Sequence, residues 1–332
     1  MKKINLLIMM IFLMGIVMKN NAQNIILNPG FESGAIPTNN DQVMYATDWD
    51  RGCAGVYCSN CSNTFLQGSP DLFDVRSTTC DVNVPANKWG TRNVRTVGTN
   101  RYVGFTGSSN YNGLQYFGES VKGKLSQSLA AGCVYNVSFW ASAIDGFYMN
   151  CGTPNPKTPS VNNKMEVVLR KDGDCTNYKI IYTTGSLTQV TWTQFASTFT
   201  LTPAEVAFGY NKVEFRLYNN WAADFGAYYL DDVSISAQPL TPAISGPASF
   251  CAGSPLTFNS SLASGVSTNY FWEISESDAF GNVVSGGYNW NNWYVGVPAS
   301  TYTFPSTLPI VCNKYYKIKL AVVNACVPWS ET

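Results

Sequence analysis

Residues 135–142 read Tyr135-Asn136-Val137-Ser138-Phe139-Trp140-Ala141-Ser142. Tyr135, Val137, Phe139 and Ala141 make one apolar face, and Asn136, Ser138, Trp140 and Ser142 make a mixed one. Side chains alternate across a strand, so a two-residue period predicts a half-buried antiparallel strand. The same period recurs downstream. Met165, Val167 and Leu169 alternate with Lys164, Glu166, Val168 and Arg170; Val213, Phe215 and Leu217 alternate with Lys212, Glu214, Arg216 and Tyr218. Further strands are predicted near 25–28, 101–106, 123–129, 179–183, 193–201 and 228–236. Turn residues separate them, as at Asp172-Gly173, Asn112-Gly113 and Thr202-Pro203. No segment carries a long helical period. Many short strands predict an all-β fold, a sandwich or jelly roll.

The pattern weakens between Gly34 and Asn100, which is rich in Cys, Asn, Ser, Gly and Pro. This stretch predicts long loops at one end of the sandwich, held by disulfides; so long an insertion is often functional. A Pro-containing linker, 238–242, follows the last strand. A second β pattern then begins, with strands expected near 256–259, 269–274 and 315–323. Its size fits a small Ig-like sandwich. Its last clear strand ends near Val323, so the closing strand is expected beyond this chain. The predicted organisation is 1–22, 23–237, 238–242 and 243–332.

The first 22 residues predict a secretory signal peptide. Lys2 and Lys3 precede an apolar run from Ile4 to Val17, and Ala22 marks the expected cut. The run is too short for a membrane span of roughly 20 residues. No cysteine lies near enough for a bacterial lipid anchor. A secreted or outer-surface location follows. The ten cysteines then predict disulfides. Seven precede the linker (Cys53, Cys58, Cys61, Cys80, Cys133, Cys151, Cys175) and three follow it (Cys251, Cys312, Cys326). With both counts odd, each domain keeps a thiol, or one bridge joins the domains, or a partner lies outside the chain. Cys53, Cys58, Cys61 and Cys80 have the number and type of ligands for zinc; export favours bridges.

Lys plus Arg and Asp plus Glu both number 21, so the net charge is zero. No run of basic residues suggests nucleic acid as a partner. Charged residues make up 13% and aromatic residues 14%. Histidine is absent. That removes Ser-His-Asp, Cys-His and His-zinc chemistry, and with them the usual proton-transfer side chain at neutral pH. A non-enzymatic protein is expected.

Three motifs resemble the carbohydrate-binding jelly rolls of the galactose-binding-like superfamily, of the cenC and family 4–9–22 type. They are Asn24-Ile-Ile-Leu-Asn-Pro-Gly-Phe-Glu-Ser-Gly34, Thr191-Trp-Thr-Gln-Phe-Ala-Ser-Thr-Phe-Thr200 and Tyr228-Tyr-Leu-Asp-Asp-Val-Ser-Ile235. Gly246-Pro-Ala-Ser-Phe-Cys251 and Cys312-Asn-Lys-Tyr-Tyr-Lys-Ile-Lys-Leu-Ala321 resemble PKD-like or Ig-like domains of secreted multidomain proteins of the Bacteroidota. The resemblance implies a jelly roll binding a polysaccharide or glycoprotein glycan. It also implies a structural Ca²⁺ where the first strand meets the last, at Glu32 and Asp231. Asp231 and Asp232 are strand neighbours that normally face opposite ways, so Asp231 is expected to reach the ion.

Sugars pair apolar C–H faces with polar rims, so their sites combine aromatic platforms with amide, carboxylate or guanidinium groups. Trp140 heads the candidates. Glu166, Arg216 and Tyr218 join it if their strands share its sheet, with Trp89, Tyr111, Trp221 and Tyr228 as loop aromatics at the rim. Trp192 and Phe199 are expected in the core. The rival expectations are a structural or adhesive surface protein without a sugar site, and an accessory region of a larger glycoside hydrolase.

Overall fold

In the computed structural model the 135–142 alternation forms one strand of a two-sheet sandwich. The structure describes residues 23–53, 55–56, 66–67, 70–108, 117–144, 148–150, 153–154, 164–218, 225–238, 242–249, 255–261, 268–291, 300–324, 326 and 330–331. The predicted signal peptide, Tyr111, Trp221, Cys58, Cys61, Cys151 and Cys251 lie outside them. Two compact units divide the chain, Asn24–Ser236 and Ala237–Thr332.

The main strands of the first unit are β1 (Trp49–Arg51), β2 (Asp71–Asp74), β3 (Arg101–Ser108), β4 (Ser120–Lys124), β5 (Tyr135–Ala143), β6 (Lys164–Arg170), β7 (Tyr178–Thr183), β8 (Thr193–Phe199), β9 (Lys212–Tyr218) and β10 (Phe225–Ala237). A five-stranded sheet has the order β1-β4-β9-β6-β7. The second sheet has the order β8-β5-β10-β3-β2, with a short strand, Phe117–Gly118, on β3. A single-turn helix, α1 (Pro203–Val206), starts on a capping box in which Thr202 and Glu205 bond each other's backbone N–H.

The apolar faces of the two sheets meet. Phe139 of β5 contacts Phe215 of β9 edge-on at 5.2 Å and Tyr182 of β7 at 6.1 Å. Trp49 packs on Phe31 at 4.4 Å. Its indole lies so close to β4 that a Cβ on Gly123 would come within 2.7 Å of it. Val137, Val167, Val213 and Phe215 are fully buried. Phe139 or Phe215 buries well over 100 Å² of apolar surface, and such residues dominate core energetics. The opening motif locks the sandwich edge. Ile25 donates to the Ile235 carbonyl, and Val233 donates to that of Pro29. Arg101, fully buried, donates to Asp74 Oδ2 at 2.6 Å and to the carbonyls of Phe31, Gly34 and Ala35.

The 34–100 stretch departs from the loop expectation. It supplies β1 and β2, and it lays a second aromatic cluster on the outer face of the β5-containing sheet. Phe73, Trp89, Tyr102 and Tyr229 meet there at ring distances of 5.0–5.9 Å, with Val82, Val84 and Ile144. Buried Asn87 links Tyr102 and Tyr229 by hydrogen bonds. Disulfide bonding is as expected in kind: Cys53 is bridged to Cys175, and Cys80, Cys133 and Cys326 are also bridged.

The second unit is also a two-sheet β structure. Its strands are β11 (Ala243–Ser245), β12 (Leu256–Ser261), β13 (Thr268–Ser277), β14 (Asn289–Asn291), β15 (Thr301–Phe304), β16 (Tyr315–Asn324) and β17 (Ser330–Glu331). Sheet β11-β12-β15 faces sheet β14-β13-β16-β17. Buried Trp272 stands between Phe258 and Tyr302. Past Val323, where the expected pattern stopped, β17 pairs with Ala321 and Val322. No helix among the described residues is long and apolar enough to cross a membrane.

Candidate functional site

The two sheets of the first unit differ in what covers them. The outer face of the β5-containing sheet carries the Trp89 cluster. The outer face of the five-stranded sheet is polar, and its cross-strand register maps it row by row. One row is Lys124, Lys212, Arg170 and Tyr178. The next is Asp50, Lys122, Glu214, Val168 and Ile180. The third is Ser120, Arg216, Glu166 and Thr183. The last pairs Tyr218 with Lys164. A bulge between Val167 and Val168 resets the register against β7, so Tyr178 and Ile180 share the polar face while Tyr182 turns to the core.

Two buried ion pairs anchor this face. Arg216 donates to Glu166 Oε2 from Nε at 2.9 Å and from a terminal nitrogen at 2.7 Å. Arg170 Nε donates to Glu214, whose other oxygen accepts from the Cys53 N–H at 2.7 Å and from Ser120 Oγ. Arg170 also donates to the Cys175 carbonyl at 3.0 Å. The Cys53–Cys175 bridge therefore clamps the 52–53 segment over Glu214. Gly52 permits the approach, because a Cβ there would overlap Ser120 Oγ and crowd Glu214. Removing either partner would leave a buried charge, so the pairs fix the guanidinium positions.

Tyr178 stands among these groups with 43% of its surface exposed. The Arg216 guanidinium lies 4.1 Å from its ring centroid and that of Arg170 lies 4.9 Å away. Both are cation–π distances. Burial alone would lower the Arg216 pKa. Tyr178 and Glu166 outweigh it and hold Arg216 above its ordinary value.

A second constellation lies where the opening motif meets β10. Asp232 adopts φ 45°, which breaks the strand alternation. Its N–H donates to Asp231 Oδ1 at 2.7 Å. A Cβ placed on Gly30 would lie 3.2 Å from Asp232 Oδ1, 3.8 Å from Asp231 Oδ1 and 3.8 Å from Glu32 Cγ. Both aspartates thus turn to the same place. This corrects the expectation that they face opposite ways. Glu32 accepts from the N–H groups of Asn100 and Arg101. Asp231 is buried, and its Oδ2 has no hydrogen-bond partner. Burial pushes the Asp231 carboxyl up to about 8, against the pull of Arg95 and with a push from Glu32. An orphaned buried carboxylate oxygen beside two further carboxylates fits a hard cation. Among the described residues no three His, Cys, Asp or Glu side chains gather closely enough to hold an ion by themselves. Asp232 is ion-paired with Arg95, so backbone carbonyls or water would complete a calcium shell.

The predicted sugar-site residues are dispersed. Glu166 and Arg216 come together, and Tyr218 lies one register step away on β9. Trp140 does not join them. It is half-buried on β5, in the other sheet, and the Arg95 guanidinium covers its ring at 4.9 Å. Trp89 and Tyr228 are corrections: both are buried, Trp89 in the outer aromatic cluster and Tyr228 inside the sandwich. A loop tryptophan between polar residues reads as rim, but this loop folds back onto a sheet. Trp192, expected in the core, packs against the outer cluster, with its indole N–H on the Asn93 carbonyl. Tyr178, Arg170 and Glu214 were missed as site residues. The signal was present in part, since Glu214 and Arg170 alternate with apolar neighbours on strands already paired in the pattern.

No protein-family model matches the chain, and no curated protein matches it. Several solved structures are similar to it. One is a cyclase from Fischerella sp. TAU in complex with 4-(1H-indol-3-yl)butan-2-one, at 16% identity and TM-score 0.38, covering 66% of this chain and 98% of that one. Another is Family 16 Carbohydrate Binding Module-2, at 16% identity and TM-score 0.26, covering 42% and 79%. A third is the adhesin domain of Epf from Streptococcus pyogenes, at 11% identity and TM-score 0.35, covering 86% and 95%.

Proposed function

We propose that this chain is an exported, non-catalytic glycan-binding protein. Its binding surface is the outer face of the five-stranded sheet, and a smaller β-sandwich follows it in the chain. The observation that carries this reading is the exposed Tyr178 ring beside two guanidiniums that buried carboxylates hold in place. A pyranose offers C–H groups to a ring and hydroxyls to charged donors and acceptors. Because Glu166 and Glu214 already fix Arg216 and Arg170, little side-chain entropy is lost on binding. Asp231, Asp232 and Glu32 would hold a structural Ca²⁺ remote from this face. Bound there, the ion would supply positive charge to the unpartnered Asp231 Oδ2 and tie the opening motif to β10.

The test is affinity electrophoresis of the full chain against soluble polysaccharides, neutral and acidic, with Tyr178→Ala as the control. Retardation by at least one polysaccharide, lost in Tyr178→Ala with an unchanged Tm, supports the reading. Retardation by none sinks it, as does binding that Tyr178→Ala leaves intact.

A further inference from the structure

The charge on the candidate face is uneven. The chain carries 21 Lys and Arg and no net charge. Six of those cations share this one sheet face: Lys122, Lys124, Lys164, Arg170, Lys212 and Arg216. The carboxylates within the sheet's rows are three, Asp50, Glu166 and Glu214. Glu166 and Glu214 are committed to Arg216 and Arg170. Asp50 and Glu214 flank Lys122 in register. The surplus therefore lies with the lysines, and in the first row Lys124 and Lys212 stand directly opposite one another on two adjacent strands. Asp172, at the end of that row, is 3.7 Å from Lys212 and 57% exposed, so it offsets one charge in part. Like charges placed directly across a ladder destabilise a sheet.

We propose that the ligand of this face is an acidic polysaccharide, one bearing uronate carboxylates or sulfate groups. The inference deepens the glycan-binding reading and rests on it. Exposed Lys124 and half-buried Lys212 supply point charges for the anionic groups. Arg170 between them and Tyr178 is buried and paired with Glu214, and Ile180 (41% exposed) lies beside Tyr178 on the same edge strand. An anionic chain laid across β4, β9, β6 and β7 meets cations first and the apolar edge last. A strand spacing of about 4.8 Å makes that path about 15 Å long, the span of roughly three sugar units.

The test uses sodium polygalacturonate and chondroitin sulfate as acidic probes, and arabinoxylan and barley β-glucan as neutral ones. Short duplex DNA serves as a non-glycan polyanion. The expected result is retardation by an acidic polysaccharide at low salt and its loss near 1 M salt, where the Debye length is about 3 Å. Lys124→Gln/Lys212→Gln should weaken that binding about tenfold. Circular dichroism melting should show the variant folded. Binding to neutral polysaccharides alone, insensitive to salt, overturns the acidic assignment and leaves the glycan-binding reading standing. Equal retention on duplex DNA overturns it in favour of a general polyanion site. Unchanged acidic binding by the double variant overturns the role of the row. Binding to no polysaccharide defeats both readings together.

Discussion

The backbone N–H of Asp232 donates to the Asp231 carboxylate at 2.7 Å, and the two side chains turn toward the same point beside Gly30. The left-handed φ of Asp232 makes this possible. It leaves Asp231 Oδ2 buried without a partner, with Glu32 close by.

Calcium should raise the Tm of EDTA-treated protein. At a hundredfold excess over Kd the stabilisation is about 2.7 kcal/mol, or roughly 5–10 °C for a unit of this size. Asp231→Asn removes the buried orphan carboxylate. This variant should melt above the wild type in EDTA and show no calcium response. Differential scanning calorimetry with and without Ca²⁺ reads both effects.

The Cys53–Cys175 bridge closes a separation of 122 residues. In the chain-entropy view so long a loop is worth about 4 kcal/mol or more. Cys53→Ser/Cys175→Ser should lose about that much in urea unfolding. It should also weaken the face, because the bridge holds the Cys53 N–H on Glu214.

Asp74 and Arg101 are both fully buried and ion-paired. Arg101→Met should cost about 3 kcal/mol, since it leaves Asp74 with Arg76 as its one guanidinium and takes the donor from the carbonyls of Phe31, Gly34 and Ala35. Burial raises the Asp74 pKa, but hydrogen bonds from Arg76 and Arg101 outweigh it and hold the carboxyl below 3.8. A depressed folded-state pKa contributes stability that is complete above the unfolded value and lost as pH falls through the folded one. Urea midpoints should therefore hold near neutrality and drop below about pH 4. Asp74→Asn should flatten that part of the profile.

Trp89→Ala should cost about 3–5 kcal/mol, as core tryptophan truncations do. Tyr178→Ala should stay within about 1 kcal/mol of wild type, since its ring is well exposed. Thermal melts of the two variants separate a packing aromatic from a binding one.

The strands were legible because burial on one face imposes a two-residue period. β5, β6, β9 and β10 lie where alternation predicts them, within a few residues. The 123–129 segment was less so: its ladder is β4, shifted earlier, and Leu125 only bridges to Ile26. Period alone does not say which strands are neighbours. Trp140 and Glu166 both sit on mixed faces of strong strands, yet they lie in different sheets. Nor does it foresee a left-handed residue inside a strand, which is why Asp232 is expected to face away from Asp231 but turns to the same place.

The sequence by itself determined the all-β class, the strand faces and the presence of disulfides. Each of these follows from local period, residue chemistry or composition. Only the tertiary structure decided that Trp89 and Tyr228 are core, that Tyr178 is the exposed aromatic beside the fixed arginines, and that six basic residues share one face. Those residues are spread from Lys122 to Arg216 with no basic run among them. Antiparallel register gathers them, and register is a long-range property set by core packing and turns rather than by any local stretch.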